Sequence, residues 1–122
     1  MNSQSASNMS LEEIRLRENH IFILNEIEDP KDIARHLYQK MVISQDDLER
    51  INNLLLTRKD RIEILLMRIS LGQGKAFHSF ISILRETGYG HVADRLEETD
   101  EQGSCWIIGA LFDHSRKENQ NV

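Results

Sequence analysis

The sequence predicts an all-α fold, a six-helix antiparallel bundle. Apolar residues recur three and four positions apart along most of the chain, which is the spacing of one buried helix face. Helix-start signals recur between these segments, and the connections are short, so neighbouring helices should pack antiparallel. No segment shows the alternation and hairpin turns of strands, so no sheet is predicted.

Four helix starts are marked by a Ser, Thr or Asp that is followed three residues later by an acid. The first side chain caps free amides of the first helical turn, and the acid can reach back to the amide of the cap. Pro30 fits the first position of the second helix, where no N–H partner is needed. The pairs are Ser10 with Glu13, Asp29 with Asp32, Ser44 with Asp47, and Thr57 with Asp60.

Two further helices are predicted, from about Lys75 to Thr87 and from about His91 to Glu98. Gly72 and Gly88 lie where a left-handed residue commonly ends a helix. The expected core consists of the apolar positions that share one face in each segment. They are Leu11, Ile14, Ile21, Leu24 and Ile27; Ile33, Leu37 and Met41; Leu48, Ile51 and Leu55; Ile62, Leu65, Leu66 and Ile69; Ala76, Phe77, Phe80, Ile81 and Leu84; and Val92, Ala93 and Leu96.

The composition fits one soluble domain with loose ends. The chain has 122 residues, 39% of them hydrophobic, and its formal net charge of -5 disfavours nucleic acid as a partner. No targeting signal is recognisable, and no apolar run is long enough to span a membrane, so we expect a cytoplasmic protein without a membrane partner. The expected organisation is a flexible arm at 1–9, a domain at 10–99, and a tail or linker start at 100–122.

The longest apolar run, "CWIIGALF" at 105–112, falls in the tail. It could fold back on the bundle, begin a linker to another domain, or arise from truncation or alternative splicing, and the sequence leaves all three open. If it stays exposed, it is an association liability.

The stretch "GQGK" at 72–75 could be taken for a phosphate-binding loop. Such a loop needs a strand, then G-x-x-x-x-G-K-[ST], then a helix. Here the first required glycine falls at Ile69, the hydroxyl falls at Ala76, and a helix precedes the glycines. We interpret them as a helix end and a turn, with a small phosphate ligand as a remote alternative.

No catalytic site, metal site or cofactor is predicted. The five histidines lack the spacing of a metal-binding pair, and the acidic runs lack the glycine and alternating oxygens of a calcium loop. Cys105 is the only cysteine, so it can form neither an intramolecular disulfide nor a cysteine-based zinc site. It also lacks a recognisable histidine partner for nucleophilic catalysis. We therefore expect no enzymatic activity.

Four stretches, in the right order, resemble the caspase recruitment domain (CARD) of the death-fold superfamily. The last one is the closest match, with A-F-x-x-F and L-R-E-T-G among its motifs. Over 11–98 the chain is most similar to initiator caspase prodomains and the CARDs of their adaptors, but the Q-A-C-x-G loop of the protease does not occur. The stretches are "RENHIFILNEI" (17–27), "LYQKMVISQDDLERI" (37–51), "TRKDRIEILL" (57–66) and "GKAFHSFISILRETGYGHVADRLEE" (74–98).

The resemblance implies homotypic association between a basic face on helices one and four and an acidic face on helices two and three. Glu63 departs from the family, which often has a basic residue there, and Lys31, Arg35 and Lys40 make the acidic side mixed. All these charges could instead be solvated helix faces, and capping already explains Asp47. The basic candidates are Arg15, Arg17, His20, Arg58, Lys59 and Arg61; the acidic candidates are Asp32, Asp46, Asp47 and Glu49.

The leading hypothesis from this resemblance is an adaptor or prodomain that recruits an initiator or inflammatory caspase in apoptosis or innate immune signalling. Its partners would be other CARD proteins. Contact between two different faces could also propagate into a homo-oligomer or filament. The alternative is a CARD-only decoy that inhibits such assembly.

Overall fold

The structure, a computed structural model, describes residues 9–104 of the chain. That range contains seven helices and no β-strand, so the predicted all-α bundle is confirmed with one additional helix. The helices are α1 (Leu11–Glu18), α2 (His20–Glu26), α3 (Lys31–Gln39), α4 (Gln45–Ile51), α5 (Arg58–Leu71), α6 (Gln73–Glu86) and α7 (Gly90–Glu98).

The additional helix arises at Asn19, where the first predicted helix bends into α1 and α2. Asn19 has φ -106° and ψ 15°, which lies outside the helical region and ends the ladder of α1. The bend allows α1 to contact α5, α6 and α7, while α2 lies along α5. One predicted helix thus packs in two directions.

Three of the predicted caps are confirmed, at the starts of α1, α4 and α5. In each case the side-chain oxygen accepts a hydrogen bond of 3.1 Å from the backbone N–H three residues later. At α4 the acid also accepts from the backbone N–H of the cap at 3.2 Å, which completes a reciprocal capping box. The three caps are Ser10, Ser44 and Thr57.

The start of α3 differs from the prediction by one residue. The helix begins at Lys31, and Pro30 occupies the capping position, because its carbonyl accepts the first helical hydrogen bond, from Ala34 N at 2.9 Å. Asp29 is therefore not the cap. Its carboxylate still accepts from Lys31 N at 3.0 Å and satisfies an amide of the first turn.

The two glycines predicted as left-handed caps differ from each other. Gly88 has φ 92°, and the N–H of Tyr89 donates to the Leu84 carbonyl at 2.7 Å, which is a Schellman end for α6. Gly72 has φ -82°, so the prediction of a left-handed cap there was wrong. The positive φ falls on Gln73 instead, at 60°.

Gly72 is required for a close approach. It is the single residue between α5 and α6, and a Cβ built on it would lie 2.5 Å from the Cβ of Ala76. Carbon atoms in contact prefer about 3.5–4.0 Å, so any side chain at this position would force the two helices apart.

The core is one apolar cluster to which every helix contributes, with Phe77 and Phe80 of α6 almost fully buried. Three predicted core positions are exposed instead: Ile21 at 66%, Met41 at 92% and Leu55 at 94%. Met41 and Leu55 lie beyond the ends of α3 and α4, where the helical period no longer applies. Ile21 lies on the solvent side of α2.

A buried polar joint holds the bend of the first helix to the end of the bundle. Asn19 is 3% exposed, and its Nδ2 donates to the Arg15 carbonyl at 2.8 Å and to Thr99 Oγ1 at 2.9 Å. Its Oδ1 accepts from Arg95 Nε at 3.1 Å. The joint therefore connects α1, α7 and Thr99 through one side chain.

The division into arm, domain and tail stays a prediction. Residues 1–8 and 105–122 lie outside the described residues, and with them Cys105 and the apolar run at 105–112. After Thr99 the chain makes a turn at 100–104. The Asp100 N–H donates to the Ser104 carbonyl at 2.7 Å, and the Asp100 carboxylate accepts from Ser104 N at 2.9 Å, so the chain reverses there.

Gly72→Ala is expected to lower the free energy of unfolding by about 1–3 kcal/mol, because the new methyl group overpacks against Ala76. Gly74→Ala is the matched control. It lies in α6, and an added Cβ meets no heavy atom within 4 Å, so this substitution should stabilise the protein by up to about 1 kcal/mol through helix propensity. Urea denaturation measures both, and equal effects would contradict the close approach.

Asn19→Ala is expected to lower the free energy of unfolding by about 2 kcal/mol or more, because Arg95 Nε loses its acceptor and Thr99 Oγ1 its donor in a buried place. The control is Asn25→Ala on the exposed side of α2, with an expected change within about 0.5 kcal/mol. Thermal and urea unfolding distinguish the two. A small effect at Asn19 would show that the joint is not a stabilising contact.

Candidate functional site

The residues of the predicted basic face lie on α1, α2 and the first half of α5. His20 Nε2 lies 3.3 Å from Glu63 Oε2, and Arg58 Nη1 donates to the Ile27 carbonyl at 2.7 Å. The earlier residue of α2 thus meets the later residue of α5, and the end of α2 meets the start of α5. The two helices therefore run antiparallel. The structure therefore brings the predicted basic residues of the two helices to neighbouring positions.

Two arginines of this set are used inside the fold. Arg58 Nη1 donates to the carbonyls of Leu24 and Ile27, at 2.6 and 2.7 Å, and so satisfies the free end of α2. Arg61 is only 8% exposed, and its Nε donates to the Ile51 carbonyl at the end of α4. These guanidinium groups fix how α2 and α4 meet the start of α5.

Arg15 also serves the fold, whereas Arg17 and Lys59 face solvent. Arg15 donates to the carbonyls of Thr99 and Glu97, at 2.9 and 2.8 Å, where the last helix ends. Arg17 and Lys59 are exposed, and neither has an ion-pair partner among residues 9–104. The accessible positive charge of this face is therefore concentrated in these two side chains.

An acidic residue lies between the two exposed cations. On α5, Glu63 follows Lys59 by four residues and precedes Met67 by four, so the three share one side of the helix. The Glu63 carboxylate contacts His20, which is 39% exposed at its side chain. The face thus has a cation at each end and a His–Glu pair in the middle, at the position where the sequence departs from the CARD pattern.

A mainly apolar groove of about 400 Å³ lies between α1 and α5, at the Arg17 end of this face. We call it the α1–α5 groove. Buried leucines and the half-exposed side chain of Met67 supply its apolar surface, and charged groups stand at its edge. It is lined by Leu16, Arg17, His20, Glu63, Leu66, Met67 and Ser70.

The apolar residues of α5 cover more than its buried side. Leu65, Leu66 and Ile69 are buried, but Met67 and Leu71 are 57% and 65% exposed. A core-facing helix needs an apolar stripe of only about 100°. The unbroken apolar run at 64–67 was therefore the sequence signal for this groove, and it went unrecognised.

Three of the four predicted acidic residues are exposed: Asp32, Asp46 and Glu49. Asp47 differs, because it is 8% exposed and its Oδ1 pairs with Arg68 Nε at 2.9 Å. The same carboxylate caps α4 through Ser44 N. Asp47 therefore connects α4 to α5, a contact between helices that its capping motif did not indicate.

An exposed apolar turn follows α3 and leads into the acidic helix α4. Met41 is 92% exposed and has φ 62°, and Tyr38 is 43% exposed. The N–H of Val42 donates to the Leu37 carbonyl at 2.9 Å, the same helix end as at Gly88 but with methionine at the left-handed position. A non-glycine residue is disfavoured there. The side chain that this turn exposes to solvent is that of Met41.

The α6–α7 part of the bundle carries charges that are paired with each other. Arg85 of α6 bonds to the carboxylates of Asp94 and Glu97 of α7. These hydrogen bonds, the one to Asp94 first, raise the pKa of the Arg85 guanidinium above its usual value. This cluster ties α6 to α7.

The described residues contain no group of three or more His, Cys, Asp or Glu side chains that could hold a metal ion. The "GQGK" stretch is not a loop: Gly72 alone separates α5 from α6, and Gly74 and Lys75 belong to the first turn of α6. Within 9–104, no helix has the length and apolar character needed to cross a bilayer.

One family model matches the chain, that of the caspase recruitment domain, over residues 14–99. Searches of curated proteins and of solved structures found no significant match. Members of the matched family are homotypic protein-interaction modules and are generally without catalytic activity. The match covers most of the chain, with the larger part of α1 and all of α2 to α7. The chain therefore belongs to the caspase recruitment domain family.

Proposed function

We propose that this CARD recruits an initiator or inflammatory caspase, directly or through an adaptor, in apoptosis or innate immune signalling in the cytoplasm. Its role would be to bring protease chains together, and it would itself bind no cofactor and catalyse no reaction. The observation that carries the proposal is the presence of unpaired, exposed charges of opposite sign on two different sides of a CARD bundle.

The two sides differ in composition as a selective contact requires. Arg17 and Lys59 supply the exposed positive charge on α1 and α5, which we call the positive side. Asp46 and Glu49 supply the exposed negative charge on α4, which we call the negative side. Complementary charges on two partners speed their encounter and fix how the two surfaces align. A wrong alignment places like charges opposite each other and is disfavoured. Such a surface selects a partner even when its total buried area is small.

The spacing of the positive side gives the partner a defined pattern. Lys59 and Met67 lie eight residues apart on α5, about 12 Å along the helix axis, and Arg17 borders the groove beside Met67. The His20–Glu63 pair occupies the space between the two cations. A fitting partner therefore has two separated acidic groups, and an uninterrupted acidic row would place one carboxylate against Glu63.

Two different contact faces on one molecule also permit head-to-tail oligomers. The contact is heterologous, because the positive side of one copy meets the negative side of the next and leaves a free face at each end. Unless the rotation between neighbours closes a ring, such a contact grows into a helical filament. Homo-oligomers are therefore part of the proposal.

The double variant Arg17→Glu with Lys59→Glu is expected to weaken binding to a CARD partner by about tenfold or more, because it places like charges across the interface. Arg58 is left intact, since its hydrogen bonds to Leu24 and Ile27 hold the fold and its loss would confuse binding with unfolding. Biolayer interferometry against purified caspase and adaptor CARDs measures the effect.

The control for that variant is Lys75→Glu, a single charge reversal of the same kind at an exposed position of α6 outside both faces. It should bind within about twofold of the unsubstituted chain, since an isolated surface charge contributes little. If the double variant binds as well as the control, the positive side is not the contact.

Mixing two one-sided variants is expected to convert growing oligomers into dimers. A chain with Arg17→Glu and Lys59→Glu keeps its negative side, and a chain with Asp46→Arg and Glu49→Arg keeps its positive side. Each alone should stay monomeric at concentrations where the unsubstituted chain forms larger species. Together they share one intact contact, so the assembly should stop at two chains.

Light scattering after size-exclusion chromatography distinguishes monomer, dimer and larger species in these samples. Oligomers in either variant alone, or a mixture that stays monomeric while the unsubstituted chain assembles, would show that self-association uses other surfaces. Raised salt should weaken all of these species, because exposed charges are screened within about 10 Å at 0.1 M.

A further inference from the structure

One lining residue of the α1–α5 groove is apolar and exposed, and two more exposed apolar residues directly follow lining residues in the sequence. Met67 lines it and is 57% exposed, Leu71 follows the lining residue Ser70 and is 65% exposed, and Ile21 follows His20 and is 66% exposed. A concentration of exposed apolar groups at a groove indicates an occupant of apolar character.

Both ends of the described part of the chain lie near α1, one of the two helices that form this groove. Met9 Sδ lies 4.0 Å from Nη1 of Arg17, a lining residue. At the other end, a Cβ built on Gly103 would lie 2.8 Å from side-chain atoms of Glu18, the neighbour of Arg17 on α1. The turn at 100–104 reverses the chain at that point, so the last described residues lie close to α1.

The composition of the two segments decides between them. Residues 1–8 contain two apolar side chains, Met1 and Ala6, whereas residues 105–112 are apolar at every position except Gly109. The free energy gained by burial grows with the apolar area removed from water. Residues 105–112 would therefore gain far more from docking than residues 1–8. Eight extended residues reach about 26 Å, whereas a helix is about 10–12 Å wide. A segment of that length can therefore cross α1 and reach the groove.

We propose that residues 105–112 dock into the α1–α5 groove of the same chain, with Trp106 among the side chains that cover Met67 and Leu66. The groove supplies an apolar surface that the bundle leaves open, and the segment supplies apolar side chains that the bundle does not otherwise bury. Gly103, two residues before the segment, lies against the Glu18 side chain of α1.

Docking would also place the segment over part of the positive side, because Arg17 and His20 stand at the edge of the groove. The segment then competes with an incoming partner for these residues. That consequence rests on the proposed function, whereas the docking itself requires no partner and is tested without one.

Trp106 is the only tryptophan of the chain, so tryptophan emission of the full chain reports on this segment alone. In dilute solution the emission should be shifted to the blue relative to the same chain in urea, and acrylamide should quench it less. Met67→Asp places a charge in the groove, so it should move the emission toward the red and increase quenching. Leu55→Asp is the matched control, since Leu55 is 94% exposed in the connection between α4 and α5.

Three outcomes would overturn the proposal: a solvent-exposed emission in the unsubstituted chain, the same spectrum for Met67→Asp and the unsubstituted chain, or an equal red shift in Leu55→Asp. A blue shift that appears only as protein concentration rises would also overturn it and would assign the groove to the segment of a second copy. Circular dichroism confirms that both variants keep the helical fold. None of these results depends on binding by Arg17 and Lys59, so failure here and failure of the proposed interface are distinguishable.

Discussion

The buried joint at Asn19 is the contact on which the arrangement of the other helices depends. A polar side chain with almost no exposure needs partners for its donors and its acceptor, and Asn19 finds them on α1, on α7 and at Thr99. One residue therefore sets the bend of the first helix and the position of the last residues of the bundle. The α1–α5 groove and the positive side inherit their geometry from that bend, because they lie where α1 and α2 meet α5.

The charged side chains of this CARD divide into those that hold the fold and those that remain available. Arg15, Arg58 and Arg61 each donate to backbone carbonyls at the end of a helix or beyond it. The planar, multiply donating guanidinium suits that task better than an ammonium group. Exposed side chains such as Lys59 and Asp46 carry no such duty, so their identity can vary with little change in stability. The charged residues that hold the fold are thus largely separate from those of the proposed contact.

The sequence predicted what depends on local chemistry. Caps such as Ser44 and the all-α class follow from neighbours a few residues apart, and the family pattern covered the same helices. Prediction from the sequence failed where contacts between distant parts of the fold decide the structure. Gly72 has no room for a side chain because Ala76 lies against it. Arg61 is buried and donates to the carbonyl at the end of α4. The basic candidates looked equivalent in sequence, since nothing local distinguishes Arg58 from Lys59. Their separation into internal and exposed groups depends on partners up to 84 residues away.

The two ends of the described part of the chain both lie near α1, which has a consequence for anything joined to this bundle. Met9 lies near Arg17, and Gly103 lies near Glu18. A tethered group is held at an effective concentration that reaches about the millimolar range for a short flexible linker. A peptide or domain joined close to Met9 or Ser104 is therefore delivered to the α1 side far more often than a free molecule would be. Two such attachments would start from neighbouring positions on the same helix.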